Sequence, residues 1–412
     1  MMLRRLALSL DRSATRWLLG IAIAGVAVRL VWCAFLPDEL LWSDEHAYET
    51  IGQNIARHAY YSADLGHPTA FRAPGQPFFL AGVYLVAGAG RVQARVAQSL
   101  LWGLALVLAY AVARALGASR RAAVLASAMA CAYPYYVYAA GTLFPLTLLT
   151  VLLLAATWLL LRLESSGGTG RAAFAGALLG AGALAVPYAI LTALAVPFWL
   201  GRRRLRDGLI VVAAALVVVA PWLARNVRAV GAPVMTTNAW LNFWYGNNDR
   251  ATASSGSDVE IHPAPLWERF KSTWPDELAM EAILRESALA YVREHPGRTA
   301  KLWFAKAVNF YRFWPETQTK NVHTNALTRL AGAATFGPVL LLGLWGWWRF
   351  PQKRRAAIIA AYFAAFTLVA AVTISKDRFR MPLDVYLMVF AGIAIDALLA
   401  RIESRAVPRS NV

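Results

Sequence analysis

The sequence predicts an all-α protein that crosses a membrane about ten times. Of its 412 residues, 58% are hydrophobic and 16% are charged, whereas a soluble domain carries about 25% charged residues. Many apolar runs approach the length of about 20 residues that an α-helix needs to cross the hydrocarbon layer. These runs do not alternate between polar and apolar residues, which argues against a membrane β-barrel.

The expected spans follow from the apolar runs. The first is residues 17–36, and Arg29 within it should face protein, water or the interface because a charge in lipid is costly. Residues 78–88 are apolar but too short to cross, so we expect a re-entrant or interfacial helix. The other spans are expected at 95–116, 122–140, 143–163, two within 171–200 broken near Pro187, 207–224, 333–349, 356–374 and 382–400.

Polar segments divide the chain into three parts. Residues 1–224 form a transmembrane core, with the candidate site in its first outer loop, 37–94. Residues 225–331 are polar, show helical periodicity over 276–310, and are expected to form a small domain on the outer face. Residues 332–412 contain the last three spans.

The formal charge of +18 would suggest a nucleic-acid partner in a soluble protein. Here the cations lie in short loops, where Lys and Arg set membrane topology. This pattern places both termini in the cytoplasm and the polar segments outside, in a plasma membrane of the bacterial type. The cations that set this topology are Arg114, Arg120, Arg121, Arg162, Arg171, Arg202, Arg203, Arg204, Arg206, Arg349, Lys353, Arg354, Arg355, Arg401, Arg405 and Arg409.

The stretch WSDEHAYETIGQNIARHAYYSADLGHPTAFRAPGQP, residues 42–77, is dense in reactive side chains. Asp44 and Glu45 open a helix that carries Tyr48 on one face. An Asp at the mouth of a helical bundle suits a general base. The structural alternative is that Ser43 caps the helix and both acids complement its dipole.

A turn rich in Pro and Gly follows, and it contains His67 and Arg72. Pro and Gly need only turn geometry here. Arg72 is suited to bidentate phosphate binding, with a lipid headgroup anchor as the alternative. Arg225 and Asn247, near the start of the outer domain, are candidate sugar contacts, with an aromatic belt at the interface as the alternative for their surroundings.

The segment SKDRFRMP, residues 375–382, places Lys376, Arg378 and Arg380 in a loop expected on the outer face. Cations there oppose the usual topology trend, which favours an anion-binding role and a lipid phosphate as the anion. The alternative is pairing with Asp377 and Asp384. The sequence contains no phosphate-binding Gly loop, nucleophile elbow or metal-ligand motif.

In several segments the chain resembles the GT-C superfamily of membrane glycosyltransferases. It is most similar to the branch of the dolichyl-phosphate-mannose protein mannosyltransferases and the bacterial lipid A aminoarabinose transferase. The segments are SDEHAYETIGQNIA (43–56), PTAFRAPGQPFFLAGVY (68–84), PWLARN (221–226), WYGNN (244–248) and DRFRMPLDVYLMVFAG (377–392).

The resemblance implies an inverting transfer of a monosaccharide from a polyprenyl-phosphate carrier to a lipid, glycan or protein acceptor. It assigns Asp44 as the base, with Glu45 as its neighbour, and Arg72 and the late basic loop as contacts of the carrier phosphate. It also implies two juxtamembrane helices, at 46–58 and 76–88. No cofactor is required, and a divalent metal is an option.

Two positions depart from the family pattern. An acid near the start of the fourth span is replaced by the run Pro145-Leu146-Thr147-Leu148, and an Arg-Pro pair is replaced by Val186-Pro187. The alternative function is therefore a lipid-binding or transporter-like membrane protein without chemistry. The sequence shows no clear internal repeat of the kind that a transporter would be expected to have.

Overall fold

The computed structural model describes residues 12–256, 264–314, 318–319, 322–323 and 326–406. The described residues form 17 α-helices and one antiparallel pair of two-residue strands. The helices are α1 (Arg12–Ala34), α2 (Ser43–His58), α3 (Gly75–Ala87), α4 (Arg91–Ala115), α5 (Arg120–Ala132), α6 (Pro134–Ala140), α7 (Leu146–Ser166), α8 (Thr169–Ala185), α9 (Ile190–Leu200), α10 (Leu205–Val230), α11 (Ala239–Gly246), α12 (Ala264–Ser272), α13 (Glu277–Glu294), α14 (Pro296–Asn309), α15 (Ala326–Arg349), α16 (Lys353–Val372) and α17 (Asp377–Ala406). The strands are β1 (Gln318–Thr319) and β2 (Val322–His323).

The helices confirm a multi-pass membrane protein that is predominantly α-helical. Seven described helices are long and apolar enough to cross a membrane, and the bent pair α5–α6 would make an eighth. The two spans expected within 171–200 correspond to α8 and to the short apolar helix Pro187–Leu200. Each of the ten expected spans thus has a helix or a helix pair, although these two are shorter than a full crossing.

Arg29 lies inside the bundle, as its cost in lipid requires. Its guanidinium donates to the carbonyl oxygens of Gly25, Ala130 and Cys131, at 2.9, 3.2 and 3.3 Å. The last two carbonyls belong to the end of α5, where the chain bends by 57° into α6. A helix end leaves carbonyls without partners, so Arg29 satisfies backbone groups that the bend would expose.

The basic loops gather at one end of the bundle. There Arg121 pairs with Asp396 and Glu403, and Arg355 pairs with Glu164. The polar loops that follow α1, precede α7 and follow α16 lie at the opposite end. The loops used to predict the topology and the polar loops thus lie at opposite ends of the bundle.

The first outer loop forms two short helices, α2 and α3, joined by the turn that contains Arg72. They match the two juxtamembrane helices expected at 46–58 and 76–88. Gly75 begins α3 against the backbone of α8, where an added Cβ would lie 2.6 Å from Ala185 Cα. A larger residue would push this turn away from the bundle, so Gly75 sets its position.

The polar segment after α10 folds mainly into helices α11 to α14. The periodicity over 276–310 is confirmed by α13 and α14. Leu284 and Ala288 are buried against Trp244 of α11, forming a small apolar core. Asp276 caps α13 by accepting from the N–H groups of Leu278 and Ala279.

Two of the element boundaries that differ from the sequence prediction lie near the candidate site, and a third is that the helix expected at 333–349 already begins at Ala326. Helix α10 continues to Val230, past the expected boundary at residue 224, and Gly231 ends it in the left-handed region at φ 89°. Helix α17 already begins at Asp377. Most of the expected basic loop 375–382 is therefore the first turns of a helix, which gives its three cations fixed and different directions.

Candidate functional site

A cavity of about 430 Å³ opens at the end of the bundle opposite the basic loops. Its wall is built from the first outer loop, the breaks before α7 and α9, the start of the outer segment, and the junction of α16 with α17. Residues from three polar segments of the sequence, 42–77, 225–331 and 375–382, meet in this wall. The candidate residues in the wall are Asp44, Tyr48, Arg72, Lys376 and Arg378.

Asp44 stands in the first turn of α2 and points into this cavity. Its Oδ1 accepts from Arg72 at 2.6 Å and its Oδ2 accepts from Arg378 at 3.0 Å. The side chain is 23% exposed. Burial by itself raises the pKa of Asp44, but the guanidinium groups of Arg378 and Arg72 outweigh it and lower the pKa below its ordinary value. The carboxylate is therefore ionised at neutral pH.

Arg72 is fixed from both sides. Its backbone carbonyl accepts from the hydroxyl of Tyr61 at 2.8 Å, and its guanidinium lies over the rings of Tyr48 and Phe71, at 5.6 and 5.0 Å from their centroids. Aromatic faces attract a guanidinium and restrict its direction. Arg72 is thus a cation pre-positioned beside Asp44.

The turn before Arg72 is tied to the outer segment. Glu277 accepts from the amide of Ala70 at 2.9 Å and from the hydroxyls of Thr69 and Thr237. Arg225 donates to the carbonyl oxygens of Thr69 and Tyr61 at 2.6 and 2.9 Å. The outer segment and α10 therefore hold the loop that carries Arg72.

Arg378 and Lys376 approach from the start of α17. Arg378 lies over the rings of Phe144 and Phe379, at 4.8 and 5.3 Å, while it donates to Asp44. Lys376 donates to the carbonyl of Ser254 at 2.5 Å. Together with Arg72 they bring three cations to the described wall around Asp44. Such a wall attracts an anion.

Three further predicted site residues, Glu45, Arg225 and His67, do not line the cavity. Glu45 is buried and accepts from the backbone N–H groups of Leu143 and Trp42, at 2.8 and 3.2 Å, so it fastens α2 to the start of α7. Burial raises the pKa of Glu45, which these two hydrogen bonds oppose. Arg225 braces the first loop, as described above. His67 is exposed beside Asp64, 3.5 Å away, and does not line the cavity.

Asn247 and Arg380 also point away from the cavity. The Asn247 amide donates to the carbonyls of Phe243 and Val372, at 2.7 and 2.8 Å. Arg380 lies two residues after Arg378 on α17 and donates to Asp384 at 2.9 Å. In a helix, residues i and i+4 share a face, so Arg380 pairs with Asp384 while Arg378 faces the cavity. For Arg380, the structure thus shows the pairing with Asp384 that the sequence analysis gave as the alternative to anion binding.

Several lining residues were not among the sequence candidates. The outer segment contributes Asn238 and Asn242, and the break before α9 contributes Tyr188. Leu146 and Val186, the positions where the chain departs from the family pattern, also line the cavity. The helix breaks at Pro145 and Pro187 could have indicated that Leu146, Val186 and Tyr188 line a site, because a broken helix exposes side chains at the end of a bundle.

Among the described residues, no group of three or more His, Cys, Asp and Glu side chains is placed to hold a metal ion. Asp44 is the one carboxylate in the described cavity wall, and two guanidinium groups occupy both of its oxygens.

Comparison with known proteins supports the fold. The family model for dolichyl-phosphate-mannose-protein mannosyltransferase matches residues 67–224. The apo oligosaccharyltransferase of Archaeoglobus fulgidus is 14% identical with a TM-score of 0.54, over 97% of this chain and 52% of that one. The same enzyme tethered to an acceptor peptide with the NVT sequon is 12% identical with a TM-score of 0.54, over 96% and 51%.

ArnT from Cupriavidus metallidurans bound to undecaprenyl phosphate is 18% identical with a TM-score of 0.46, over 96% of this chain and 82% of ArnT. The search of curated proteins found no match. The chain spans about half the length of the archaeal structures that it matches. It has their fold, and the resemblance to GT-C membrane glycosyltransferases of the mannosyltransferase branch is confirmed.

Proposed function

We propose that this chain is a membrane glycosyltransferase that moves a monosaccharide from a polyprenyl-phosphate carrier to a lipid, glycan or protein acceptor. The observation that carries the proposal is the cavity in which one ionised carboxylate, Asp44, stands between two guanidinium groups. A base for the acceptor and cations for a phosphate are the two groups that this transfer needs side by side.

The reaction uses these groups in one displacement. The acceptor hydroxyl or amine attacks the anomeric carbon with inversion, and its proton passes to a carboxylate oxygen of Asp44. The bond from the anomeric carbon to the phosphate oxygen breaks, and the electron pair leaves with the polyprenyl phosphate. Arg72, Arg378 and Lys376 stabilise the charge that develops on this leaving group.

The comparisons support the carrier class and the presence of an acceptor. The matching family is described as acting with dolichyl-phosphate-mannose, and its match includes Arg72. An archaeal protein of the same fold was solved with a tethered acceptor peptide. The proposal includes no metal or other cofactor.

The cavity lies at the end opposite the basic loops, and the positive-inside rule puts such loops in the cytoplasm. Transfer therefore takes place at the outer face of the plasma membrane, with both termini inside. A donor in the outer leaflet could present its phosphate at the level of Arg72 and Arg378.

The test measures transfer from radiolabelled polyprenyl-phosphate sugars in membranes that contain wild type or Asp44→Asn. The variant keeps the shape of the side chain and removes its charge, so transfer should fall by about 10²–10⁴-fold. The matched control is Asp64→Asn, an exposed acid in the same loop, which should transfer normally.

Equal transfer by folded Asp44→Asn would mean that Asp44 only stabilises the start of α2. Absence of transfer from every donor, despite carrier binding, would favour the alternative of a lipid-binding or transporter-like protein.

A further inference from the structure

Helix α14, in the outer segment, has one buried face and one exposed apolar face. The buried face includes Leu302, Lys306 and Asn309. On another face, Phe304 and Val308 are 73% and 58% exposed, and residues four apart in a helix lie on the same side. A helix that borders water normally turns polar residues outward. The outward face of α14 is therefore not patterned for water.

The exposed apolar surface continues past the helix and has a cation at its other end. Phe313 and Trp314, which follow α14, are 37% and 40% exposed. Lys301 is also exposed, and it precedes Phe304 by three residues, which places it on the same face. A lysine at one end of an apolar strip and a tryptophan at the other are typical of a helix at a membrane interface.

The contacts of this segment show how deep it lies. Lys306 donates to the carbonyl of Thr373, directly after the end of α16, at 2.7 Å. Tyr311 shares a hydrogen bond of 2.7 Å with the hydroxyl of Thr367, and its ring lies 6.5 Å from that of Phe363. Six residues of an α-helix span about 9 Å. The chain at Tyr311 thus lies about 9 Å inside the cavity-side end of α16.

Helix α16 gives this depth a meaning. It is a candidate membrane span of 20 residues, which matches the thickness of the hydrocarbon layer of about 30 Å. Leu368, next to Thr367 on this helix, is 61% exposed. An exposed leucine within a span faces lipid. The exposed residues of α14 and of 310–314 therefore continue a surface that is already in contact with lipid.

The backbone after α14 is suited to the same surroundings. The N–H groups of Phe310, Tyr311 and Arg312 donate to carbonyl oxygens of the last turns of α14. The carbonyl of Phe310 accepts from Arg380. Lipid offers no hydrogen bonds, so a chain at this depth has to satisfy its backbone groups within the protein.

We propose that residues 301–314 are a membrane anchor of the outer segment. Phe304, Val308, Phe313 and Trp314 lie among the phospholipids of the leaflet on the cavity side, and Lys301 lies at the level of the headgroups. The outer segment is thus partly embedded in the bilayer rather than a polar domain above it. The proposal does not depend on sugar transfer.

The anchor is connected to the wall of the cavity. Lys306 binds the carbonyl of Thr373, and the amide of Asn309 donates to the carbonyl of Ser375 at 3.3 Å. These two carbonyls belong to the junction of α16 with α17, three residues before Arg378 at its nearer end. Lipid that holds α14 in place therefore also holds the junction from which Arg378 reaches the cavity.

The test attaches a nitroxide spin label at Phe304→Cys or Val308→Cys in full-length protein, with Cys33 and Cys131 replaced by Ala. The protein is placed in nanodiscs of phosphatidylcholine and phosphatidylglycerol. Accessibility is measured to oxygen, which concentrates in lipid, and to a water-soluble nickel chelate. Leu368→Cys is the lipid reference, and Arg293→Cys, exposed on α13, is the water reference. The ratio of oxygen to nickel accessibility at both anchor positions should be several-fold higher than at Arg293 and close to that at Leu368.

A second measurement keeps both native cysteines and serves if the protein without them does not fold. The photoreactive residue p-benzoylphenylalanine replaces Phe304 or, as the control, Arg293. On illumination in the same nanodiscs, the probe at Phe304 should crosslink to phospholipid and the probe at Arg293 should not.

Two results would overturn the anchor. Labels at Phe304 and Val308 that are more accessible to nickel than to oxygen, as at Arg293, would place this face in water. Labels that neither reagent reaches, or crosslinks to protein in place of lipid, would mean that another polypeptide covers the face. In either case the proposed sugar transfer would be unaffected.

Discussion

Asp44→Asn should abolish transfer and, at the same time, tighten binding of the empty carrier phosphate. In the wild type, Arg72 and Arg378 each donate to one oxygen of Asp44. A phosphate that enters the cavity competes with Asp44 for the same two guanidinium groups. When the phosphate binds, the wild type therefore loses hydrogen bonds between the guanidinium groups and a carboxylate. The variant loses weaker hydrogen bonds between the same groups and a side-chain amide.

The contacts set the size of this effect. A hydrogen bond to a charged group contributes about 1.5–3 kcal/mol and a neutral one about 1 kcal/mol. The amide side chain of the variant retains one acceptor oxygen, so the difference is about 1–2 kcal/mol once solvent at this partly exposed site is considered. At about 1.4 kcal/mol per tenfold, the variant should bind undecaprenyl phosphate about 5- to 30-fold more tightly than wild type.

The assay is titration of undecaprenyl phosphate into purified protein in detergent. The same measurement is repeated in protein that carries Arg378→Gln. If Asp44 and the phosphate compete for Arg378, adding Asp44→Asn should then increase the affinity for undecaprenyl phosphate by a smaller factor than it does in the wild type. A general effect of the lost negative charge would increase it by the same factor. Asp64→Asn should bind like wild type. Unchanged or weaker binding by folded Asp44→Asn would refute the idea that Asp44 and the phosphate share these cations.

Two buried groups in the outer segment give opposite pH dependences of stability. Burial raises the pKa of Glu281 to about 7, so the folded state binds more protons than the unfolded state between about 4.5 and 7. Stability should therefore fall as the pH rises through this range, and Glu281→Gln should reduce the fall while exposed Glu286→Gln should not. Burial lowers the pKa of Lys306 to about 7 from 10.5, so stability should rise with pH between these values. Lys306→Met should flatten that rise in thermal unfolding, exposed Lys301→Met should not, and a steep rise retained by Lys306→Met would exclude this lysine as its source.

Much of the fold follows from the sequence because hydrocarbon imposes simple rules. A run of apolar residues must be a helix of a certain length, and cations must collect on one side. For this reason each expected span has a counterpart in the structure. The two expected spans whose helices are too short for a full crossing lie on either side of Pro187, which interrupts the helix.

The site was predictable at the level of segments rather than side chains. The sequence indicated that residues 42–77 and 375–382 meet, and Asp44, Arg72 and Arg378 do meet. It could not tell Arg378 from Arg380, because that difference depends on where α17 begins. A start at Asp377 turns one cation to the cavity and the other to Asp384.

The same limit applies to Glu45, which neighbours Asp44 and has the same charge. One residue along a helix rotates a side chain by about 100°. That rotation moves Glu45 from the cavity to the backbone of Leu143, where it fastens α2. The packing of α2 against the segment before α7 decides which acid faces the cavity.

The outer segment is part of the site rather than a cover over it. Glu277 holds the turn that leads to Arg72, and Glu281 holds the helix that carries Asn242. Lys306 donates to the carbonyls of Gly246 and Thr373, at 3.0 and 2.7 Å, and so links the end of α11 to the end of α16 just before Arg378. Three walls of the cavity are therefore fixed by charged side chains of one segment. Removal of the charge of Glu277, Glu281 or Lys306 should therefore loosen the wall that this side chain holds and weaken binding in the cavity.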